Sequence, residues 1–134
     1  MDVSCIFCKI INGEIDSWKV YEDENFVAFL DRTQVKDGHS LVIPKAHFEN
    51  IHEIDDAVLG QLAITTKKVA AIVKEKVSAD GITVLQCNGE AGLQSVFHIH
   101  FHVIPGWDGD RINEPWTPRF LDADYMNMVH EKFI

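Results

Sequence analysis

Apolar residues recur along this chain with two periods. Between residues 55 and 77, Val58, Leu62, Val69, Val73 and Val77 recur at helical spacing, with Leu59, Ala63, Ala70 and Ile72 alongside. That pattern predicts one amphipathic helix. Asp55 starts it, between Ile54 and Leu59, an arrangement that fits a hydrophobic staple. Thr65, Thr66, Lys67, Lys68, Lys74, Glu75 and Lys76 are expected to face solvent, and Gly60 is a weak interior position. Elsewhere the apolar runs are short and strand-like. Residues 18–21 and 25–30 read as two strands across the polar turn Glu22-Asp23-Glu24. Residues 31–38 are polar and loop-like, and residues 40–43 form a strand that Pro44 ends. Two longer strands follow, 81–87 and 96–104, joined by a loop with Gly89 and Gly92. As sequence neighbours they are expected to pair antiparallel. Residues 4–12 suit a short helix, with Ser4 as its cap and Gly13 as its stop. After Pro105 the chain reads as an extended or short-helical tail. Together these elements predict an α+β domain: about five antiparallel strands, a main helix on one face and a short N-terminal helix.

A length of 134 residues is that of one domain, 1–134, with a variable tail from about residue 107. Hydrophobic residues make up 46%, enough for a real core. Twelve basic against twenty-one acidic residues leave a formal charge of −9. A protein with that balance lacks the basic footprint of a nucleic-acid polymer binder. It can still hold a small anion, because backbone N–H groups and histidines create local positive sites. The N-terminus shows no signal-peptide pattern, and the longest apolar runs, four to five residues, cannot span a bilayer. Cytoplasmic location without membrane attachment is the expectation. Of three cysteines, Cys5 and Cys8 form C-x-x-C. In a reducing compartment that is a metal knuckle, a redox pair or coincidence, and no strand precedes it as a thioredoxin-like pair requires. Cys87 is expected to be a buried small apolar residue at a strand end.

The chemistry concentrates in Phe97-His98-Ile99-His100-Phe101-His102-Val103. On a strand, alternate side chains share a face. The three imidazoles would then project from one face, and Phe97, Ile99, Phe101 and Val103 from the other. Three metal ligands, a catalytic site and a plain polar sheet face are the open readings. The loop before it, Asn88 to Ser95, brings glycines, an amide and a hydroxyl beside the histidines. Flexible backbone, Gln94 and Ser95 suit phosphoryl oxygens. A neutral imidazole suits attack on phosphorus, because its cationic N–P adduct is readily hydrolysed.

The run Gln94-Ser95-Val96-Phe97-His98-Ile99-His100-Phe101-His102-Val103-Ile104-Pro105 resembles the signature of the histidine triad (HIT) family of nucleotide hydrolases and transferases. Ile6 to Ile15 resembles that family's opening, and Gly38 to His47 its middle motif. The three motifs run in order over residues 5–107. Small nucleoside-phosphoramidase-type proteins and their bacterial relatives are the branch most resembled. The galactose-1-phosphate uridylyltransferase branch, with a different pattern between its last two active-site histidines, fits less well.

The resemblance implies roles. His100 matches the nucleophile, which forms a nucleotidyl-histidine intermediate and releases a nucleoside monophosphate. His102 matches the residue that holds the α-phosphate and helps proton traffic, and His39 a supporting histidine. Asn88 and Ser95 match phosphate-side contacts, with Gln94 near the leaving group. Asp31 matches the carboxylate that takes the ribose hydroxyls. Phe7, Ile10, Phe29 and Leu41 match the apolar slot around a purine base. Cys5, Cys8, His47 and His98 match a structural zinc site found in part of the family, a sound tetrahedral set. His52 and His130 remain ordinary surface histidines. No organic cofactor is implied, and a homodimer is. Three departures stand out: Asp16 replaces a common proline, residues 34–37 lack the usual prolines, and Arg32 follows Asp31 where an apolar residue is common. The resemblance implies a hydrolase of purine ribonucleoside 5′-phosphoramidates or related nucleotidyl adducts. A dinucleoside polyphosphate hydrolase, a non-catalytic nucleotide-binding scaffold and a zinc-dependent hydrolase are the alternatives.

Overall fold

A computed structural model describes residues 4–110, 112 and 121–131. Five strands form one antiparallel sheet: β1 (Lys19–Glu22), β2 (Phe26–Leu30), β3 (Ser40–Pro44), β4 (Gly81–Gln86) and β5 (Phe101–Gly106), in the order β1-β2-β3-β5-β4. Among the described residues, three α-helices accompany it: α1 (Ile6–Ile11), α2 (Asp56–Lys76) and α3 (Ala123–Glu131). The sheet and its single long helix are the expected α+β architecture. Parts of the expected tail lie outside the described residues, and so do Met1 to Val3. No helix among the described residues is long and apolar enough to cross a membrane.

Strands β2 and β3 are buried on both faces, and their alternation sorts side chains into two cores. Phe26, Ala28 and Val42 join Leu62, Val69 and Val73 of α2 on one side, together with Ile99 and Val103. Val27, Phe29, Leu41 and Ile43 meet Phe7, Cys8 and Ile10 of α1 on the other. Full burial of each such aliphatic side chain contributes about 1.5–3 kcal/mol. The hairpin between β1 and β2 closes as its sequence implies. Asp23 Oδ1 accepts from the backbone N–H groups of Asn25 and Phe26, both at 2.8 Å.

Helix termini are partly as expected. Asp55 is the N-cap of α2, and Ile54 shares a cluster with Leu59, as a staple requires. Gly13, at φ +80°, follows the last turn of α1, a conformation that suits glycine. The cap of α1 is Cys5 rather than Ser4: its Sγ accepts from Cys8 N–H at 3.3 Å. Thr65 and Thr66 are buried, not solvated, and Thr66 Oγ1 donates to Leu62 O at 2.8 Å. The hydroxyl satisfies itself on its own helix and so tolerates the core.

The largest departure concerns the histidine strand. β5 begins at Phe101, so residues 96–100 are not strand. β3 pairs with β5 as Leu41 with His102 and Val42 with Phe101. Continuing that register would set Ile99 opposite Pro44, which has no N–H to donate. The Pro44 carbonyl instead takes His98 Nε2–H at 2.8 Å, and Ile99 N–H goes to Phe48 O at 2.8 Å. With the ladder broken, Phe97 turns out to 42% exposure rather than joining the core face. Cys87, just past β4, is half-buried.

Candidate functional site

Because the ladder stops, His98 parts from His100 and His102. His98 is fully buried beside α1. Its Nε2–H is committed to the Pro44 carbonyl, so its Nδ1 carries the lone pair. That atom lies 3.4 Å from Cys5 Sγ, 3.6 Å from Cys8 Sγ and 3.1 Å from His47 Nδ1. His47 Nδ1 is 3.4 Å from Cys8 Sγ. All four atoms lie within 4.8 Å of one another. A tetrahedral ion with bonds of about 2.0–2.3 Å has edges of about 3.3–3.8 Å, so donor chemistry and spacing both fit a tetrahedral metal such as zinc. Burial pushes His98 down to about 4, which keeps its imidazole neutral as ligation requires. Cys5 and Cys8 are spaced to converge by the single turn of α1 that Cys5 caps.

The second group faces a cleft of about 290 Å³ between α1, the segment before β1 and the end of β2. Phe7, Ile10, Phe29 and Leu41 form its apolar walls, and Asp31, Ser95, His100 and His102 line it as well. Phe7 packs edge-on against Phe29 and His100, with ring centres 5.4 and 5.2 Å apart. Gly38, at φ +106°, turns the chain immediately before His39, and its missing side chain leaves room for Val77.

Hydrogen bonds assign the protons. His100 Nδ1–H donates to the His98 carbonyl at 2.8 Å, leaving Nε2 with the lone pair. Val35 N–H donates to His39 Nδ1 at 3.1 Å, so His39 carries its proton on Nε2. That N–H reaches His102 Nδ1 at 2.9 Å, with Asp31 Oδ2 at 3.4 Å as a second acceptor. His102 Nδ1 therefore accepts, and its Nε2 bears a proton. Asp31, His39 and His102 also have the spacing of a metal triad. The Val35 N–H occupies the nitrogen to which His39 would have to shift its proton, so this trio reads as a hydrogen-bonded relay. Burial lowers His39 and His100 and takes His102 to about 4, with Asp31 opposing the shift in each. All three imidazoles are neutral near pH 7.

Two expected contacts do not reach the cleft. Gln94 is buried, and its amide is fully used. Its Oε1 accepts from Gly89 N–H at 2.7 Å, and its Nε2 donates to Glu49 O at 2.6 Å and Val96 O at 3.0 Å. Asn88 exchanges two side-chain hydrogen bonds with Gln86, at 2.8 and 2.6 Å, and accepts from Ile51 N–H. Both brace the loop that carries Ser95. The cleft also takes residues that the motif reading did not assign: Ile15, Asp16, Trp18 and Arg32. Asp16 and Arg32 are two of the three departures from the family pattern. His52 and His130 are exposed, as expected.

Comparison with known proteins gives concordant results. A family model described as the HIT domain matches residues 12–109. Protein hit of Bacillus subtilis is 47% identical over 114 residues, 84% of this chain and 79% of that protein. Adenosine 5′-monophosphoramidase HNT1 of Candida albicans is 38% identical over 134 residues, 96% of this chain and 88% of that one. Among solved structures, a zinc-bound histidine triad family protein from Mycobacterium smegmatis superposes with a TM-score of 0.79 at 36% identity. It covers 87% of this chain and 84% of that chain.

Proposed function

The chain belongs to the HIT family, and on that premise we propose that it hydrolyses purine ribonucleoside 5′-phosphoramidates or related nucleotidyl adducts at the α-phosphate. The observation that carries the reading is the proton assignment on His100, whose Nε2 lone pair belongs to a cleft-lining, neutral imidazole. The base lies in the slot of Phe7, Ile10, Phe29 and Leu41, and Asp31 accepts from the ribose hydroxyls. His100 Nε2 attacks phosphorus and the P–N bond breaks. The leaving nitrogen takes its proton from solvent. The adduct is an imidazolium, and its Nδ1–H points at the His98 carbonyl, whose dipole favours that positive charge. His102 Nε2–H donates to a phosphoryl oxygen, and Ser95 Oγ is at hand for another. Water then attacks phosphorus and gives up a proton to solvent, the N–P bond breaks with its electron pair returning to Nε2, and His100 is neutral again as the nucleoside monophosphate leaves.

Cys5, Cys8, His47 and His98 would hold a zinc ion, which supplies a cross-link between α1, the segment after β3 and the start of the histidine run, not a reacting group. The zinc-bound relative from Mycobacterium smegmatis supports that reading. The protein is read as a cytoplasmic homodimer. Val84 on the edge strand β4 is 45% exposed and gives a second copy apolar surface to cover.

The test is AMP release from adenosine 5′-phosphoramidate and from diadenosine tetraphosphate, by the protein and by His100→Ala. Turnover of the phosphoramidate that disappears in the variant is the expected result. Faster turnover of the tetraphosphate would reassign the leaving group. Nucleotide binding without turnover of either would overturn the hydrolase reading.

A further inference from the structure

The mouth of the apolar slot carries charges that the reaction does not use. Asp16 stands on the lip after α1, and Arg32 on the lip after β2, beside Asp31. Both side chains are exposed, and neither has a hydrogen-bond or ion-pair partner among the described residues. Trp18 lies at the same mouth and is 59% exposed. A large ring left uncovered at the entrance of an apolar cleft is a stacking surface for a flat ligand. Among the described residues, no asparagine or glutamine lines the cleft.

Those donor types discriminate between purines. Guanine offers two adjacent acceptors, O6 and N7, on one edge and two adjacent donors, N1–H and N2–H, on the next. A guanidinium matches the first pair, and a carboxylate, with two acceptor oxygens, matches the second. Adenine presents a donor beside an acceptor on each edge, the pattern that asparagine or glutamine side chains match. We infer that Arg32 and Asp16 select guanine over adenine, Arg32 reading O6 and N7, Asp16 reading N1–H and N2–H, with Trp18 stacking on the base. The inference rests on the reading of the cleft as a nucleotide site and names its preferred base.

Calorimetric binding of GMP, IMP and AMP to the full chain, Asp16→Asn and Arg32→Gln tests it without requiring turnover. The expected order for the unaltered protein is GMP, then IMP, then AMP, with GMP about tenfold tighter than AMP. IMP lacks the N2 amine, so Asp16→Asn should bring GMP down to the IMP level. Arg32→Gln should weaken GMP and IMP together and bring AMP to within about threefold of GMP. AMP binding as tightly as GMP to the unaltered protein would overturn the inference alone. So would a guanine preference that survives both substitutions. Failure of all three nucleotides to bind would instead overturn the reading of the cleft as a nucleotide site.

Discussion

Two histidines two positions apart, His98 and His100, have opposite proton arrangements. His98 gives its Nε2–H to the Pro44 carbonyl and turns an Nδ1 lone pair toward two cysteines and His47. His100 gives its Nδ1–H to the His98 carbonyl and keeps an Nε2 lone pair for the cleft. One backbone carbonyl in each case decides which nitrogen reacts. The same side chain, buried and held neutral by the same desolvation, becomes a candidate metal ligand in one place and a candidate nucleophile in the other. The two regions also share parts. The His98 carbonyl orients His100, and the Phe7 ring touches both imidazoles, with centres 5.9 and 5.2 Å away.

The sharpest way to separate the regions is to remove one imidazole at a time. His100→Ala should lower phosphoramidate turnover by about 10⁴-fold or more while bound zinc stays at the level of the unaltered protein. Elemental analysis beside the kinetic assay reads both. A variant that loses metal as well would show that the two regions are one unit. His98→Ala or Cys8→Ser should do the reverse. Zinc content falls, and the melting temperature drops by about 10 °C or more, as does that of the unaltered protein in chelator. Turnover should fall less than in His100→Ala, through lost orientation rather than lost chemistry. An unchanged melting temperature on chelation would remove the metal from the account.

A smaller effect is expected within the relay. His39→Leu removes the Nε2–H that fixes the proton on His102, while leaving the candidate nucleophile in place. Loss of an orienting partner of this kind costs about 10–100-fold, expected here in kcat more than KM. Equal activity in the variant would show that His102 orients without it.

The smallest effect concerns pH and stability. His102 stands at an ordinary 6.5 in the unfolded chain and at about 4 when folded, and His39 is lowered too. Above 6.5 both states hold these rings neutral, and no difference arises. Below it the unfolded chain takes up protons that the folded chain refuses, so stability falls as pH drops from about 6.5 toward 4. Below 4 the His102 contribution levels off. Denaturant melts across that window, compared with His102→Gln, should show a weaker pH slope in the variant.

Much of this was legible in the chain. Period-two runs and one helical run determined the five strands, the antiparallel pairing of the last two and the long helix, because each face must bury its apolar stripe, but not that β3 lies against β5. Residue chemistry supplied C-x-x-C and three alternating histidines, and the family resemblance added Asp31, His39 and His47 to the site's ingredients. What local pattern could not decide was where each histidine goes. Alternation assigns faces only while the ladder continues, and the ladder here ends opposite a proline on a different strand. The same limit applies to Asn88 and Gln94, polar loop residues whose partners Gln86, Gly89, Glu49 and Val96 are known only once the loop has folded. Thr66 could be buried because its hydroxyl finds a carbonyl one turn back. The sequence by itself thus determined the elements and the chemical inventory. The resemblance already divided the three like histidines into a candidate metal donor, a candidate nucleophile and a phosphate-side residue, but only the tertiary structure supplies the physical cause, the carbonyl that fixes the proton on His98 and on His100. A proton's place on an imidazole depends on which carbonyl or N–H the fold brings to its other nitrogen.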